Sequence, residues 1–219
     1  MKAELINHFG DDLMVVNAAR VSYGKEKSEF DEKDAKLLKY LFEHKHTSVF
    51  RHPQLQFRIE CPIFVERQLF KHQIGMSANS LSGRYVDFSD NYYYFNDLRR
   101  QSKSSKQGSD GILDRPDLLD KISKHTELCK ELYAELCEAG VAKEQARAIL
   151  PLSLETQFIW TGSLLSFIHL WNLRCKPDAQ QETRVLAGQM RDLVAQIPGN
   201  PFKHSLSVFF KDEYNFDNP

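Results

Sequence analysis

From Gln54 to Glu60 polar and apolar residues alternate without a break. Leu55, Phe57 and Ile59 lie on one side of an extended chain and Gln56, Arg58 and Glu60 on the other, because successive strand side chains point to opposite faces. A segment of this kind is stable only as a half-buried strand in a sheet, and its apolar face must be covered by something else. Pro62 then suits the first turn of a helix, and Phe64, Val65, Leu69 and Phe70 continue at helical spacing.

The rest of the chain supplies covering elements. Met1 to Asn7 reads as a short strand, and Asp11 or Asp12 as the cap of a helix through Arg20. Asp31 caps a clearer helix, with Asp34 in its first turn and Leu37, Leu38, Leu41 and Phe42 as its apolar stripe. A long helix is predicted from about Asp117 to Glu138, stopped by Gly140, and a shorter one over Lys143 to Ile149, ending before Pro151. Thr156 to Thr161 reads as a strand and Ser163 to Leu173 as a helix. Pro177-Asp178 starts another helix that carries Val185, Leu186, Met190, Leu193, Val194 and Ile197 and ends before Pro198. The aromatic run Tyr92 to Phe95 reads as a strand or packing edge, and the basic, aperiodic Arg99 to Ser109 as a mobile surface loop. Few strands among many helices point to an α+β or mixed α/β fold, with no internal repeat and no linker.

Phe70 to Tyr85 fits neither a core element nor a linker. It begins with Lys71 and His72, passes through small hydroxyl and amide residues, and ends Ser82-Gly83-Arg84-Tyr85. Lys71 and Arg84 can neutralise phosphate, and Ser77, Ser80 and Ser82 can donate to phosphate or carbonyl oxygens. Gly75 and Gly83 allow close backbone approach. The segment therefore reads as a loop for an anionic, planar, hydrogen-bonding ligand. The whole-chain charge of −1 gives no global drive toward long nucleic acid, so any anion site must be local.

Other features have ordinary readings beside functional ones. His44, His46 and His52 have no partner carboxylate or cysteine at metal-site spacing, so a solvated or ligand-facing loop is favoured over zinc. The basic loop at Arg99 to Ser109 is a solvated surface loop or one that closes over an anionic small ligand. Arg147 can form a surface salt bridge, Arg174 can satisfy the last carbonyls of its own helix, and His169 can be a partly buried helix histidine. The four cysteines (Cys61, Cys129, Cys137, Cys175) form no CxxC pair, which fits a reduced, cytoplasmic setting. The N-terminus has no apolar signal-peptide core, and no apolar run approaches the ~20 residues that span a bilayer. Dinucleotide fingerprints, P-loops and GxSxG elbows are absent from the sequence.

In order along the chain, six pieces together resemble the flavin-dependent thymidylate synthases. They are Val16 to Tyr23, His46-Thr47-Ser48-Val49-Phe50-Arg51-His52, Lys71-His72-Gln73 with Ser82-Gly83-Arg84-Tyr85, Arg99 to Ser109, Arg147 to Pro151, and Asn172-Leu173-Arg174. The chain also departs from that family. Lys71 and Gln73 stand in place of two arginines, Arg51 and Ser80 in place of glutamates, and Ser163 and Leu165 in place of an Asn and an Arg that often contact flavin. Eight residues, rather than seven, separate Gln73 from Ser82.

The resemblance implies an α+β fold: an antiparallel twisted sheet flanked by helices, one domain over residues 1–219 with a helical lobe. It implies reductive methylation of deoxyuridine monophosphate, with methylenetetrahydrofolate as carbon donor, FAD as hydride carrier and NADPH as reductant. It implies a homotetramer with sites where subunits meet, and no nucleic-acid or membrane partner. Arg174 is then the catalytic residue, stabilising charge on the pyrimidine. Ser48, Lys71, His72, Gln73, Ser80, Ser163, Leu165 and His169 are flavin-side positions. Gln68, Lys71, Ser80, Leu81, Ser82, Gly83, Arg84, Arg147 and Arg174 are nucleotide-side positions. Two other readings stand beside this one: a flavin- or nucleotide-binding homologue without methyl transfer, and a single-stranded nucleic-acid binder using Arg99 to Lys106 with Tyr92 to Phe95.

Overall fold

A computed structural model describes residues 1–87 and 91–210 of the chain. Strand β1 (Lys2–Phe9) leads into α1 (Asp12–Arg20), a 3-10 turn at Val21–Tyr23, and α2 (Glu32–Glu43). A second 3-10 turn at Thr47–Arg51 precedes β2 (Gln54–Pro62) and α3 (Ile63–Leu69). Next come β3 (Met76–Ser80), a hairpin of β4 (Leu98–Gln101) and β5 (Ser109–Leu113), the long α4 (Pro116–Glu138), and α5 (Lys143–Ala146) with a 3-10 turn at Arg147–Ile149. The described chain closes with β6 (Glu155–Ser163), α6 (Leu164–Arg174), α7 (Gln181–Ala195) and α8 (Lys203–Phe209).

The main sheet has the order β1-β2-β6-β3, every pairing antiparallel. Phe57 lies opposite Trp160 and Ile59 opposite Phe158, so the alternation in β2 and that in β6 place their apolar residues on the same face. Helices α3, α6 and α7 cover that face. Val65, Leu69, Phe167, Trp171, Leu186 and Met190 join the strand residues in one fully buried cluster. Each such side chain contributes about 1.5–3 kcal/mol on burial. The expected α+β arrangement, an antiparallel sheet with helices packed on it, is the one found.

A second cluster holds the N-terminal helices. Val15 and Val16 of α1, Leu38 and Leu41 of α2, and Val49 and Phe50 of the 3-10 turn pack with Leu165 of α6. Asp11 caps α1 by accepting from the Met14 amide at 2.7 Å. Its neighbour Asp12, buried, accepts from the His204 and Ser205 amides at 2.6 and 3.0 Å and so docks α8 on α1. Periodicity does not announce α8, because a seven-residue helix held by a remote carboxylate carries little local signal.

Four other expectations are corrected. The polar stretch expected as a loop contains β3, which among the described residues pairs with β6 alone and exposes four of its five residues. Its ladder of main-chain bonds, not side-chain alternation, makes it a strand. Arg99 to Ser109 is not a bare loop but the core of a hairpin, and the Gln101 Nε2 fastens its turn to the Lys106 and Gly108 carbonyls at 3.2 and 3.0 Å. Pro62 is the N-cap of α3 rather than part of its first turn. Finally, α7 begins at Gln181 rather than at Pro177-Asp178. The intervening turn is closed by Ala179 N to Lys176 O at 3.0 Å, and the Pro177 carbonyl accepts from Arg184 at 2.7 Å. That delay leaves Ala179 and Gln180 free to line a pocket.

Candidate active site

Helices α3 and α6 both end at the same place, and their ends bring together Gln68, His72 and Arg174. Arg174, in the last turn of α6, donates from Nε to His72 Nε2 at 3.0 Å and from Nη2 to the Gln68 carbonyl at 3.3 Å. The guanidinium therefore bridges to the end of α3 instead of capping its own helix. Burial lowers its pKa from the ordinary value, but arginine remains a cation. Burial, then the Arg174 charge, then His169 hold the His72 pKa below 6.5. His72 is thus a neutral acceptor at Nε2, not the helix-end cation its position suggests.

The turn that carries His72 is locked from α6. Gly75 has a φ of +70°, and a Cβ there would lie 2.6 Å from Ser166 Oγ. Ser166 donates to the Ile74 carbonyl at 2.9 Å and pairs with Ser163 Oγ at 2.7 Å. Ser163 is the N-cap of α6, accepting from the Ser166 amide at 3.2 Å. Its side chain, like that of Leu165, is buried. These two expected flavin positions are used by the fold: Ser163 caps a helix and fixes a turn, and Leu165 belongs to the N-terminal core cluster.

A pocket of about 560 Å³ opens beside Arg174. Gln68, Arg174 and Gln180 form one side, and Arg99, Gln101 and Ser109 of the hairpin form the other. Lys176 adds a third cation and Asp178 the one carboxylate of the lining. Buried behind the wall are two groups that sequence reasoning missed, Glu182 and Thr183. Thr183 donates to Gln68 Oε1 at 3.1 Å, Gln68 Nε2 donates to Gln180 Oε1, and Gln180 Nε2 donates to Glu182 Oε2 at 3.0 Å. Arg99 closes the chain on Glu182 Oε1 at 2.5 Å. Burial alone would raise the Glu182 pKa, but the bonds from Arg99, the backbone and Gln180 outweigh it and hold the carboxyl below its ordinary range. Polar residues at the start of a helix carry no periodic signal that marks them as buried.

The other nucleotide-side positions lie elsewhere. Ser80 ends β3 and donates to Glu66 Oε1 of α3 at 2.9 Å. Burial raises the Glu66 pKa, opposed by that bond. Through that bond α3 brings a carboxylate alongside the end of β3. Leu81 is exposed, and Ser82 to Tyr85 form a tight turn, Tyr85 N to Ser82 O at 2.9 Å, around buried Gly83. Asp87, just beyond, pairs with Lys143 of α5 at 2.8 Å, which brings this turn near the segment bearing Arg147. Among the described residues no acidic group pairs with Arg84 or Arg147, and no hydrogen bond links either to the Arg174 centre.

Ser48, Lys71, Gln73 and His169 are exposed. Among the described residues the side chains of Ser48, Lys71 and Gln73 have no hydrogen-bond partner, so they are available to an anionic, hydrogen-bonding group such as a flavin dinucleotide. Of the histidine loop, His44 stacks on Tyr40 at 3.9 Å and His46 meets the same ring edge-on at 6.2 Å. Among the described residues no group of three or more His, Cys, Asp or Glu is placed to hold a metal ion, and no helix is long and apolar enough to cross a membrane.

Comparison with known proteins gives a consistent picture. The model of the thymidylate synthase complementing protein family matches residues 4–198. A flavin-dependent thymidylate synthase of Thermus thermophilus is 40% identical over 192 residues, covering 88% of this chain and 70% of that protein. Its counterpart in Kosmotoga olearia is 42% identical over 216 residues, covering 97% and 89%. Among solved structures, the UMP/dUMP methylase PolB of Streptomyces cacaoi bound with 5-Br dUMP superposes with a TM-score of 0.84 at 28% identity, covering 95% of this chain and 94% of that one.

Proposed function

The chain belongs to the thymidylate synthase complementing protein family, and from that premise we propose that it methylates deoxyuridine 5′-monophosphate (dUMP) to thymidine monophosphate (dTMP) as a flavin-dependent enzyme. The single observation that carries this reading is the Arg174–His72–Gln68 centre beside a cationic pocket. The balanced reaction is dUMP, methylenetetrahydrofolate, NADPH and a proton giving dTMP, tetrahydrofolate and NADP⁺. FAD, when bound, supplies the hydride and is in turn reduced by NADPH.

The protein's part is to bind, orient and stabilise charge. Carbon 5 of uracil is a weak nucleophile until negative charge develops on the ring oxygens. Arg174, held by two bonds and half removed from water, is a preorganised cation for that charge. Because His72 accepts at Nε2, it fixes the guanidinium plane without competing as a cation. Gln68 adds a donor. Arg84, Arg147 and the Ser82 hydroxyl are the groups for the phosphate, with Leu81 and Gly83 as the backbone against it. Ser48, Lys71, His72, Gln73 and His169 would hold the flavin, and Ser80, bonded to Glu66, would serve both ligands. Among the described residues Arg84 and Arg147 have no acidic partner and no hydrogen bond to the Arg174 centre, which supports sites assembled where subunits meet in a homotetramer. Lys71 and Gln73 offer one cation where the family resemblance leads one to expect two, so flavin binding here leans on neutral donors.

The test is direct. Purified protein with FAD, NADPH, methylenetetrahydrofolate and dUMP should form dTMP, measured by chromatography. Flavin and dUMP that both bind while the flavin stays reduced and no dTMP forms would instead fit the binding-only reading. A pH profile gives an independent check. As pH falls through the depressed pKa of His72, Nε2 takes up a proton and can no longer accept from Arg174. The acid limb of kcat/KM is expected to have its midpoint below 6.5, the ordinary histidine value. A midpoint at or above it would remove His72 from the centre.

A further inference from the structure

The hydrogen-bond chain behind the pocket runs in a fixed direction. Glu182, 3% exposed, is an ionised carboxylate and can only accept. Arg99 can only donate, and it occupies Glu182 Oε1. Gln180 must therefore turn its NH₂ toward Glu182 Oε2 and its oxygen toward Gln68. Gln68 must in turn give its NH₂ to Gln180, leaving its oxygen to the Thr183 hydroxyl. If Gln68 turned over, Gln180 would have to follow, and an amide oxygen would then face the Glu182 carboxylate. The carboxylate thus excludes the reversed chain.

The consequence reaches the pocket. Each amide nitrogen carries two hydrogens, and the internal chain uses one from each. Gln68 lines the same wall as Arg174, and its remaining N–H has no partner among the described residues, so it is the donor Gln68 has to offer a ligand there. Arg174 also donates only. A ligand edge meeting both must be an acceptor.

We propose that Glu182 is a positioning residue that sets substrate specificity, by fixing Gln68 as a donor so that the site takes a 4-keto pyrimidine (uracil) and rejects a 4-amino one (cytosine). This rests on the reading of the site as a pyrimidine nucleotide site and adds to it the origin of base choice. Cytosine would place an amino donor against two donors, an unpaired arrangement of the kind that separates substrates most strongly.

The test compares binding of dUMP and dCMP to the flavin-loaded protein by calorimetric titration. In Glu182→Gln, Arg99 still demands an oxygen, so the new amide turns its NH₂ to Gln180 and the relay reverses. The preference for dUMP over dCMP is expected to shrink about tenfold, the effect of one hydrogen bond gained or lost. Glu182→Asp keeps an acceptor-only group and should keep the ratio, even where both affinities fall. Gln180→Leu cuts the relay without touching the Arg99–Glu182 pair and should also lower the ratio, so the inference stays testable if Glu182→Gln does not fold. Equal weakening of both nucleotides in Glu182→Gln or Gln180→Leu, or equal loss of the ratio in the aspartate variant, overturns it. The functional reading fails separately. Wild-type protein that makes dTMP but binds the two nucleotides alike overturns only this inference. A base preference that collapses as described, without turnover, supports the inference and removes the methyl transfer.

Discussion

Arg174→Ala is expected to lower turnover of dUMP by about 10²- to 10³-fold, the usual cost of removing one preorganised charge-stabilising donor. Flavin content should fall far less than turnover, because of the flavin-side groups only His72 is bonded to Arg174, while Ser48, Lys71 and Gln73 have no partner among the described residues. The change frees His72 Nε2, on a half-buried residue, and the carbonyl of Gln68, which lines the pocket, where water can replace the guanidinium. The fold should survive, since Arg174 belongs to neither apolar cluster. Arg174→Lys should rescue little: a single ammonium cannot reproduce a planar fork that meets His72 and Gln68 together and still faces a ligand. Steady-state turnover and the flavin absorbance of the purified variant check this. Near-normal turnover with flavin bound would take Arg174 out of the chemistry.

The contrast between Arg174 and Glu182 shows what a sequence can disclose. Where burial on one face drives an element, periodicity reveals it, as in the alternation of β2 and the Leu38–Leu41 stripe of α2. Where main-chain pairing alone drives it, nothing in the residue pattern does. That is why β3 reads as a loop and the β4–β5 hairpin as a mobile segment. Among site residues, Arg174 and His72 are legible through short motifs carried by a family resemblance, and Gln68 only as a nearby donor on the helix that leads into the turn of His72. What holds them is not, because support comes from residues remote in sequence. Gln68 meets Gln180 and Thr183 across more than a hundred positions, and position 80 gains a carboxylate from α3 rather than from its own strand. Ser163 and Leu165, expected on the flavin side, also serve the scaffold: the side chain of one caps a helix and that of the other lies in a core cluster.

The Val16 to Tyr23 stretch is a further case of motif residues serving the scaffold, and it leads to the largest expected loss of stability. Asn17 clasps the backbone of Lys27 from both sides, donating to its carbonyl at 2.8 Å and accepting from its amide at 3.2 Å. Arg20 reaches Asp34, whose side chain is wholly buried in α2. Asp34 also accepts from Lys27 at 3.0 Å and from the Asp31 amide at 2.9 Å, completing a capping box in which Asp31 accepts from the Asp34 amide at 3.0 Å. One carboxylate thus joins α1, the connecting loop and the start of α2. Asp34→Ala is expected to cost about 3 kcal/mol, the low end for breaking a buried ion pair, because Lys27 keeps contact with water and with Asp31. Burial by itself would raise the Asp34 pKa, yet the bonds from Arg20, Asp31 and Lys27 hold it below 3.8. The sign follows. The folded protein binds the Asp34 proton less tightly than the unfolded chain, so this stabilisation is present above pH 3.8 and is lost as pH falls through the depressed value. The difference in denaturation midpoint between wild type and Asp34→Ala should therefore be full at neutral pH and narrow only in strong acid. A variant equally stable at neutral pH would show that the two helices are held by the Val15, Val16, Leu38 and Leu41 contacts alone.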